Sequence, residues 1–229
     1  MHRPMITVFA LSLAVGCANG DANSNDSAAD IDAGDTVSLE IFVGHSVLSS
    51  ALVGLDTCVM GTDNCTVTDS DGIAVLTVPA DSDVGVTIEG EGYTPHLLPY
   101  ATQSVDMEVG IYILPQETTE LIMEGLGLDM SNGHVGLTLT ESDGYIGTLE
   151  GGEFVHYFND LSTGIDPDLT STSASGRFVA LNVTGDTVTV SLDGPGSCTP
   201  RDHYWSGDAN EVILPVLPGY FSGMTLDCE

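Results

Sequence analysis

The feature that most constrains this chain is an internal repeat. Thr68-Asp69-Ser70-Asp71-Gly72-Ile73-Ala74-Val75-Leu76-Thr77-Val78-Pro79 is a turn followed by an alternating strand, and its design returns as Thr172-Ser173-Ala174-Ser175-Gly176-Arg177-Phe178-Val179-Ala180-Leu181-Asn182-Val183. The match runs on without a gap at a constant offset of 104 residues, through Val84/Val188, Val86/Val190, Ile88/Leu192 and Gly90/Gly194. A fixed register across turn, strand, turn and strand implies two copies of one small β-unit. At 229 residues the chain has room for two such domains. Each would bury only about 60 to 65% of its unfolded surface, so each needs reinforcement.

Composition sets the surroundings. There are 34 acidic residues against three basic ones, Arg3, Arg177 and Arg201, and no lysine. A net charge of −31 opposes binding to nucleic acid or anionic lipid headgroups, which require clustered cations. It suits a surface bathed in salt or divalent cations. A hydrophobic share of 42% excludes global disorder. The absence of lysine excludes the intramolecular Lys–Asn isopeptide bonds of some adhesin sandwiches.

The N-terminus reads as an export signal over residues 1–17: Arg3 supplies the positive start, and Met5 to Val15 is an apolar run too short to span a bilayer. Its end, Leu13-Ala14-Val15-Gly16-Cys17, resembles the lipobox of bacterial lipoproteins. The resemblance implies cleavage before Cys17, lipidation of that cysteine and, because Ala18 rather than Asp follows, passage to the outer membrane. Cleavage would move the net charge from −31 to −32, since only Arg3 is lost. Residues 18–36 hold little that is apolar beyond alanine and are expected to be a flexible tether, with a mean reach of about 25 Å. The Asp30-Ile31-Asp32 spacing within it is weakly calcium-like, and a solvated tether explains it better.

Alternation places strands of the first unit at 37–43, 52–60, 65–69, 72–78, 84–90 and 94–98, with turns at Asp71-Gly72, Pro79 to Asp83 and Gly90-Glu91-Gly92. Short strands at this spacing indicate an antiparallel sandwich. The run Cys58…Cys65-Thr66-Val67-Thr68-Asp69-Ser70-Asp71-Gly72, the apolar strand into Val78-Pro79 and the following Gly92-Tyr93-Thr94-Pro95 resemble the carboxypeptidase regulatory-like domain, a transthyretin-like (prealbumin-like) β-sandwich of exported bacterial proteins. The resemblance covers 37–110 and implies an accessory module rather than an enzyme. The fold expected is therefore all-β, with two tandem transthyretin-like or Ig-like sandwiches at 37–110 and 132–229.

Between them, residues 111–131 should form a connector with one short helix. Glu117 to Leu126 follows Pro115, carries acids in its first turn and stops at Gly125 or Gly127. Leu121, Ile122 and Leu126 are expected to pack on a sandwich. In the second unit, strands are expected near 134–140, 152–158, 176–183, 187–193, 210–217 and 220–227. Residues 159–175 form a long polar loop.

With Cys17 lipidated, four cysteines remain in an oxidising compartment, and three pairings are possible. The expected one keeps each bond within a repeat copy: Cys58 with Cys65 and Cys198 with Cys228. Such loops contribute about 2 to 4 kcal/mol each. Other site candidates are weaker. Asp69 and Asp71 stand two apart before a glycine, as in calcium loops, but lack a third ligand and a distal glutamate, and the copy at Ser173 to Gly176 has no acid. Asp160, Asp166 and Asp168 form a similar set; calcium is the one cofactor these residues suggest. Tyr204 and Trp205 are candidate ligand-binding residues, either a platform for a sugar face or a cap over one end of the core.

No nucleophile stands with a base, and neither G-x-S-x-G nor H-E-x-x-H occurs. The expected function is a non-catalytic, lipid-anchored envelope protein that binds or braces, with envelope proteins or glycans as partners. The alternative is a carbohydrate-binding accessory module for extracellular polysaccharide.

Overall fold

The structure, a computed structural model, describes residues 35–140, 143–152, 154–161, 164–205 and 207–229. Cys17, the export signal and the Asp30 and Asp32 positions lie outside them.

Seven strands come first: β1 (Thr36–His45), β2 (Asp56–Val59), β3 (Cys65–Val67), β4 (Ile73–Pro79), β5 (Asp83–Glu89), β6 (His96–Ala101) and β7 (Met107–Ile113). The helix α1 (Gln116–Leu126) follows. Then come β8 (Gly133–Thr140), β9 (Ile146–Glu150), β10 (Phe154–Phe158), β11 (Ile165–Asp166), β12 (Arg177–Val183), β13 (Thr187–Asp193), β14 (Cys198–Pro200), β15 (Glu211–Pro215) and β16 (Phe221–Cys228).

In the first sandwich the sheet β4-β1-β7 packs on β6-β5-β2-β3. Alternation decides the inward faces: Leu39, Ile41 and Val43 of β1 meet Val84, Val86 and Ile88 of β5 in one core. The second sandwich repeats the plan, with β12-β8-β16 packed on β15-β13-β9. β4 and β12, and likewise β5 and β13, begin and end 104 residues apart. In both copies the central strand pairs antiparallel with the turn-derived strand and parallel with the last strand, as β1 does with β4 and β7 and β8 with β12 and β16.

The turn glycines explain part of this equivalence. Gly72 and Gly176 both have left-handed backbone, φ 77° and 62°. Their carbonyls accept the N–H groups of Val43 and Leu139, each at 2.8 Å. A Cβ on Gly72 would stand 2.8 Å from the Val43 carbonyl oxygen, and one on Gly176 would collide with that of Leu139. Only glycine satisfies both the dihedral and the close approach.

The copies differ at their edges. β10 and β11 extend the second sandwich beyond β12, whereas β4 ends its sheet. β12 also carries a bulge between Ala180 and Val183, where Asn182 has φ 57°. β7, β9, β11 and β14 are strands that alternation did not announce. The 159–175 segment is partly structured, since β11 pairs with β10.

Each disulfide closes a strand pair. Cys58 and Cys65 face each other across β2 and β3, and Cys198 and Cys228 across β14 and β16. The helix ends at Gly127 in left-handed conformation. It buries Thr119 and Met123, with Leu126 half-buried beside them, a spacing of four and three residues along one face. Leu121 was expected to pack, but it lies on the opposite face and is 70% exposed.

The two sandwiches share a sheet. Its path β11-β10-β12-β8-β16-β6-β5-β2-β3 passes from the second into the first through a parallel contact of β16 with β6, Phe221 opposite His96 and Ser222 opposite Leu97.

Replacing either turn glycine by alanine should destabilise by about 1 to 3 kcal/mol. Gly176→Ala should cost more than Gly72→Ala, because the Leu139 carbonyl leaves no room, and urea unfolding of the two variants measures the order.

Candidate functional site

Chemically distinctive side chains gather where the two sandwiches meet. His96, Leu97, Leu98, Pro99 and Tyr100 are all buried. They are apolar or neutral on both faces, as a strand in the middle of a wide sheet must be. Beyond Ser222, β16 leaves β6 and pairs with β14. The segment 203–205 takes over the edge: Ala101 N–H donates to the His203 carbonyl at 3.1 Å and Trp205 N–H to the Pro99 carbonyl at 3.3 Å. Pro99 therefore lacks its N–H on a side where no regular ladder asks for one.

Aromatic rings close this edge. Tyr204 stacks on Tyr100 with ring centroids 6.2 Å apart and planes 25° from parallel, and His203 packs against Tyr204 at 4.5 Å. The Trp205 indole N–H donates to the Val84 carbonyl of the first sandwich at 3.1 Å. Four residues before Trp205, Arg201 forms a partly exposed ion pair with Asp227 at 2.8 Å. Such a pair contributes little, but with the Cys198–Cys228 bond it fixes the segment that leads into the clamp.

On the helix side of the shared sheet, Phe221 lies between two histidines at the same register. His96 on β6 is 6.2 Å away and His134 on β8 is 5.6 Å away, ring centre to ring centre. The His96 Nδ1 lies 2.8 Å from the Thr94 carbonyl oxygen. Burial drives the His96 pKa down to about 4, against a smaller upward pull from that carbonyl. Burial also lowers His134, opposed by the backbone and charge of Asp129. The Asn182 N–H, within the β12 bulge, donates to His134 Nδ1 at 3.5 Å. Across the boundary, the Tyr220 hydroxyl donates to the Glu89 carboxylate, and burial followed by that bond raises its pKa.

The residues singled out from sequence are placed as follows. Tyr204 is 5% exposed and stacked, and Trp205 is half-buried with its N–H engaged. Tyr204 lies closed within the junction, and Trp205 keeps part of its surface open beside it. Asp69 Oδ1 accepts the N–H groups of Asp71 and Ile73, each at 2.9 Å, which makes it the brace of its turn. Asp166 Oδ1 accepts the Asp168 N–H at 3.0 Å, and Asp160 Oδ1 that of Ala174 at 3.3 Å. Among the described residues no group of three or more His, Cys, Asp or Glu side chains is placed to hold a metal ion, and no helix is long and apolar enough to cross a membrane.

Sequence reasoning missed His96, His134, Tyr100 and Phe221 as a set. The usable signal was the loss of alternation over residues 96–100.

No family model and no curated protein matches the chain. Among solved structures, similarity extends to a type II cohesin–X-dockerin complex from Acetivibrio cellulolyticus, with 20% identity, 34% of this chain and 56% of that chain covered, and a TM-score of 0.29. The chain thus spans little more than half of that relative. The minor pilin GBS52 of Streptococcus agalactiae matches at 12% identity over 83% of this chain and 94% of its own, TM-score 0.27. A point mutant of the shaft pilin spaA of Lactobacillus rhamnosus GG matches at 10% over 85% and 98%, TM-score 0.26. At these scores the description of the fold rests on the chain's own sheets and registers.

Tyr204→Ala should destabilise the protein by about 3 to 5 kcal/mol, as truncation of a buried aromatic does. Trp205→Phe keeps most of the packing and loses one hydrogen bond, about 1 kcal/mol. Denaturant unfolding of the two variants checks both values.

Proposed function

We propose that this chain is a non-catalytic, lipid-anchored protein of the bacterial cell envelope, in which two transthyretin-like sandwiches form one stiff unit that braces or binds other envelope proteins. The observation that carries the reading is the sheet that runs through both sandwiches, clamped by Tyr204 and Trp205. Supporting it, the polar and aromatic residues that sequence marked as site candidates are engaged in holding turns and the junction.

On this reading the chain divides into a signal at 1–17 with lipid on Cys17, a tether at 18–36, a carboxypeptidase regulatory-like sandwich at 37–110, a connector at 111–131 and a second sandwich at 132–229. More than one acyl chain on a cysteine gives stable anchoring. The tether then sets the unit off from an outer-membrane surface, and the net charge keeps it clear of anionic headgroups. Binding would use sheet edges, of which β4 and β15 are the last strands of their sheets.

Mass spectrometry of the N-terminal peptide, with fractionation of Cys17→Ser, tests the proposal. The expected result is an acylated Cys17, release of the variant from membranes, and no retardation of the protein in polysaccharide affinity gels. An unmodified Cys17 removes the anchor, and retardation that Trp205→Ala abolishes moves the function to carbohydrate binding.

A further inference from the structure

Among the described residues three histidines are buried, His96 at 4% exposure, His134 at 1% and His203 at 5%, and all three stand at the boundary between the sandwiches. His96 and His134 flank Phe221 on the strands that join the two units, and His203 packs on the Tyr204 ring that stacks on Tyr100. The Nε2 atom of His203 is buried without a hydrogen-bond partner. We propose that this boundary is an acid-released latch, in which proton uptake by His96, His134 and His203 parts β6 from β16 and lifts the Tyr204–Trp205 clamp while each sandwich keeps its own sheets.

The geometry favours separation over wholesale unfolding. β16 touches β6 at only two paired positions, Phe221 with His96 and Ser222 with Leu97, whereas it pairs with β8 along seven, Phe221 to Asp227. Each side retains its own disulfide, Cys58–Cys65 in the first sandwich and Cys198–Cys228 in the second. A cationic imidazole at the boundary would be desolvated against Phe221 or Tyr204, and burying a charge without a partner is costly.

The charged and titratable neighbours modify this without reversing it. Near His96, Glu89 ends the adjacent strand β5 and is held by Tyr220. Asp129 pulls His134 upward, and Asp202 and Asp227 pull His203 upward while Arg201 pushes it down. Burial is the largest cause for all three, and its direction is downward. Parting the strands admits water to rings that then titrate near the ordinary value of about 6.5. For His96, between that value and about 4 the open form binds more protons than the closed form, and His134 and His203 are shifted in the same direction, so falling pH drives opening. For His96 alone the full window shifts the equilibrium by about 300-fold.

Trp205 is the single tryptophan of the chain, and its indole hydrogen bond crosses the boundary, so its fluorescence reports the latch. The test titrates the full-length protein from pH 7.5 to 4.5, following Trp205 emission, far-ultraviolet circular dichroism and radius of gyration, alongside a His96→Gln/His134→Gln/His203→Gln variant. The expected result is a red shift of emission and a larger radius at constant β-signal, absent from the variant. Emission that is unchanged, that changes only as the β-signal collapses, or that follows the same profile in the variant overturns the proposal. Should the variant not fold, NMR titration of the native histidines decides. The expected finding is three rings that stay neutral until the emission shifts, and rings that protonate near pH 6.5 with Trp205 undisturbed overturn it.

Discussion

The structure depends on a short parallel contact, Phe221 and Ser222 of β16 beside His96 and Leu97 of β6. Without it the chain would be two small sandwiches, each burying a modest share of its unfolded surface and each held by its own disulfide. With it, one sheet crosses from one unit to the other, and apolar residues from both belong to a continuous core. Two ladder positions are a narrow bridge, and the clamp widens it. The backbone of residues 203–205 continues the edge of β6, Tyr204 stacks on Tyr100, and the Trp205 N–H reaches Val84. The Cys198–Cys228 bond holds β14 against β16, so the strand that pairs with β6 and the loop that clamps it are tied to each other.

A chain of net charge −31 needs its joints to be neutral. Self-repulsion across the boundary opposes any contact that leaves carboxylates facing each other. The residues brought together there are rings, leucines and histidines held uncharged at neutral pH, with Glu89 bound by the Tyr220 hydroxyl. Histidine is thus a conditional member of this core: neutral, it packs beside phenylalanine, and protonated, it cannot remain. The same surroundings that permit the joint make it sensitive to acid.

Much of the fold was legible in the sequence because it follows from local rules. The offset of 104 residues transfers turn glycine and alternation from one copy to the other, and β4, β5, β12 and β13 fall where it places them. The helix and its end at Gly127 follow from Pro115, early acids and glycine. What stayed hidden is non-local. β7 and β14 are defined by what they pair with, and the inward face of the helix depends on where Phe158 and Val179 lie, so Leu121 could not be told from Met123. The junction was least legible. Tyr204 and Trp205 were visible as an unusual pair, but nothing local says that their partners are Tyr100 and Val84, more than 100 residues away. Asp69 shows the converse, since a calcium-like spacing also serves a turn whose own N–H groups take the carboxylate.

At neutral pH the two sandwiches are joined as one body through β6 and β16. Amide hydrogen exchange at Phe221 and Trp205, whose N–H groups donate to the carbonyls of Pro95 and Pro99 in the first sandwich, tests it most directly. Protection at pH 7.5 close to that of Leu39 and Val135 in the cores is the predicted result. Exchange at these two amides as fast as in exposed turns, with both cores protected, would contradict it.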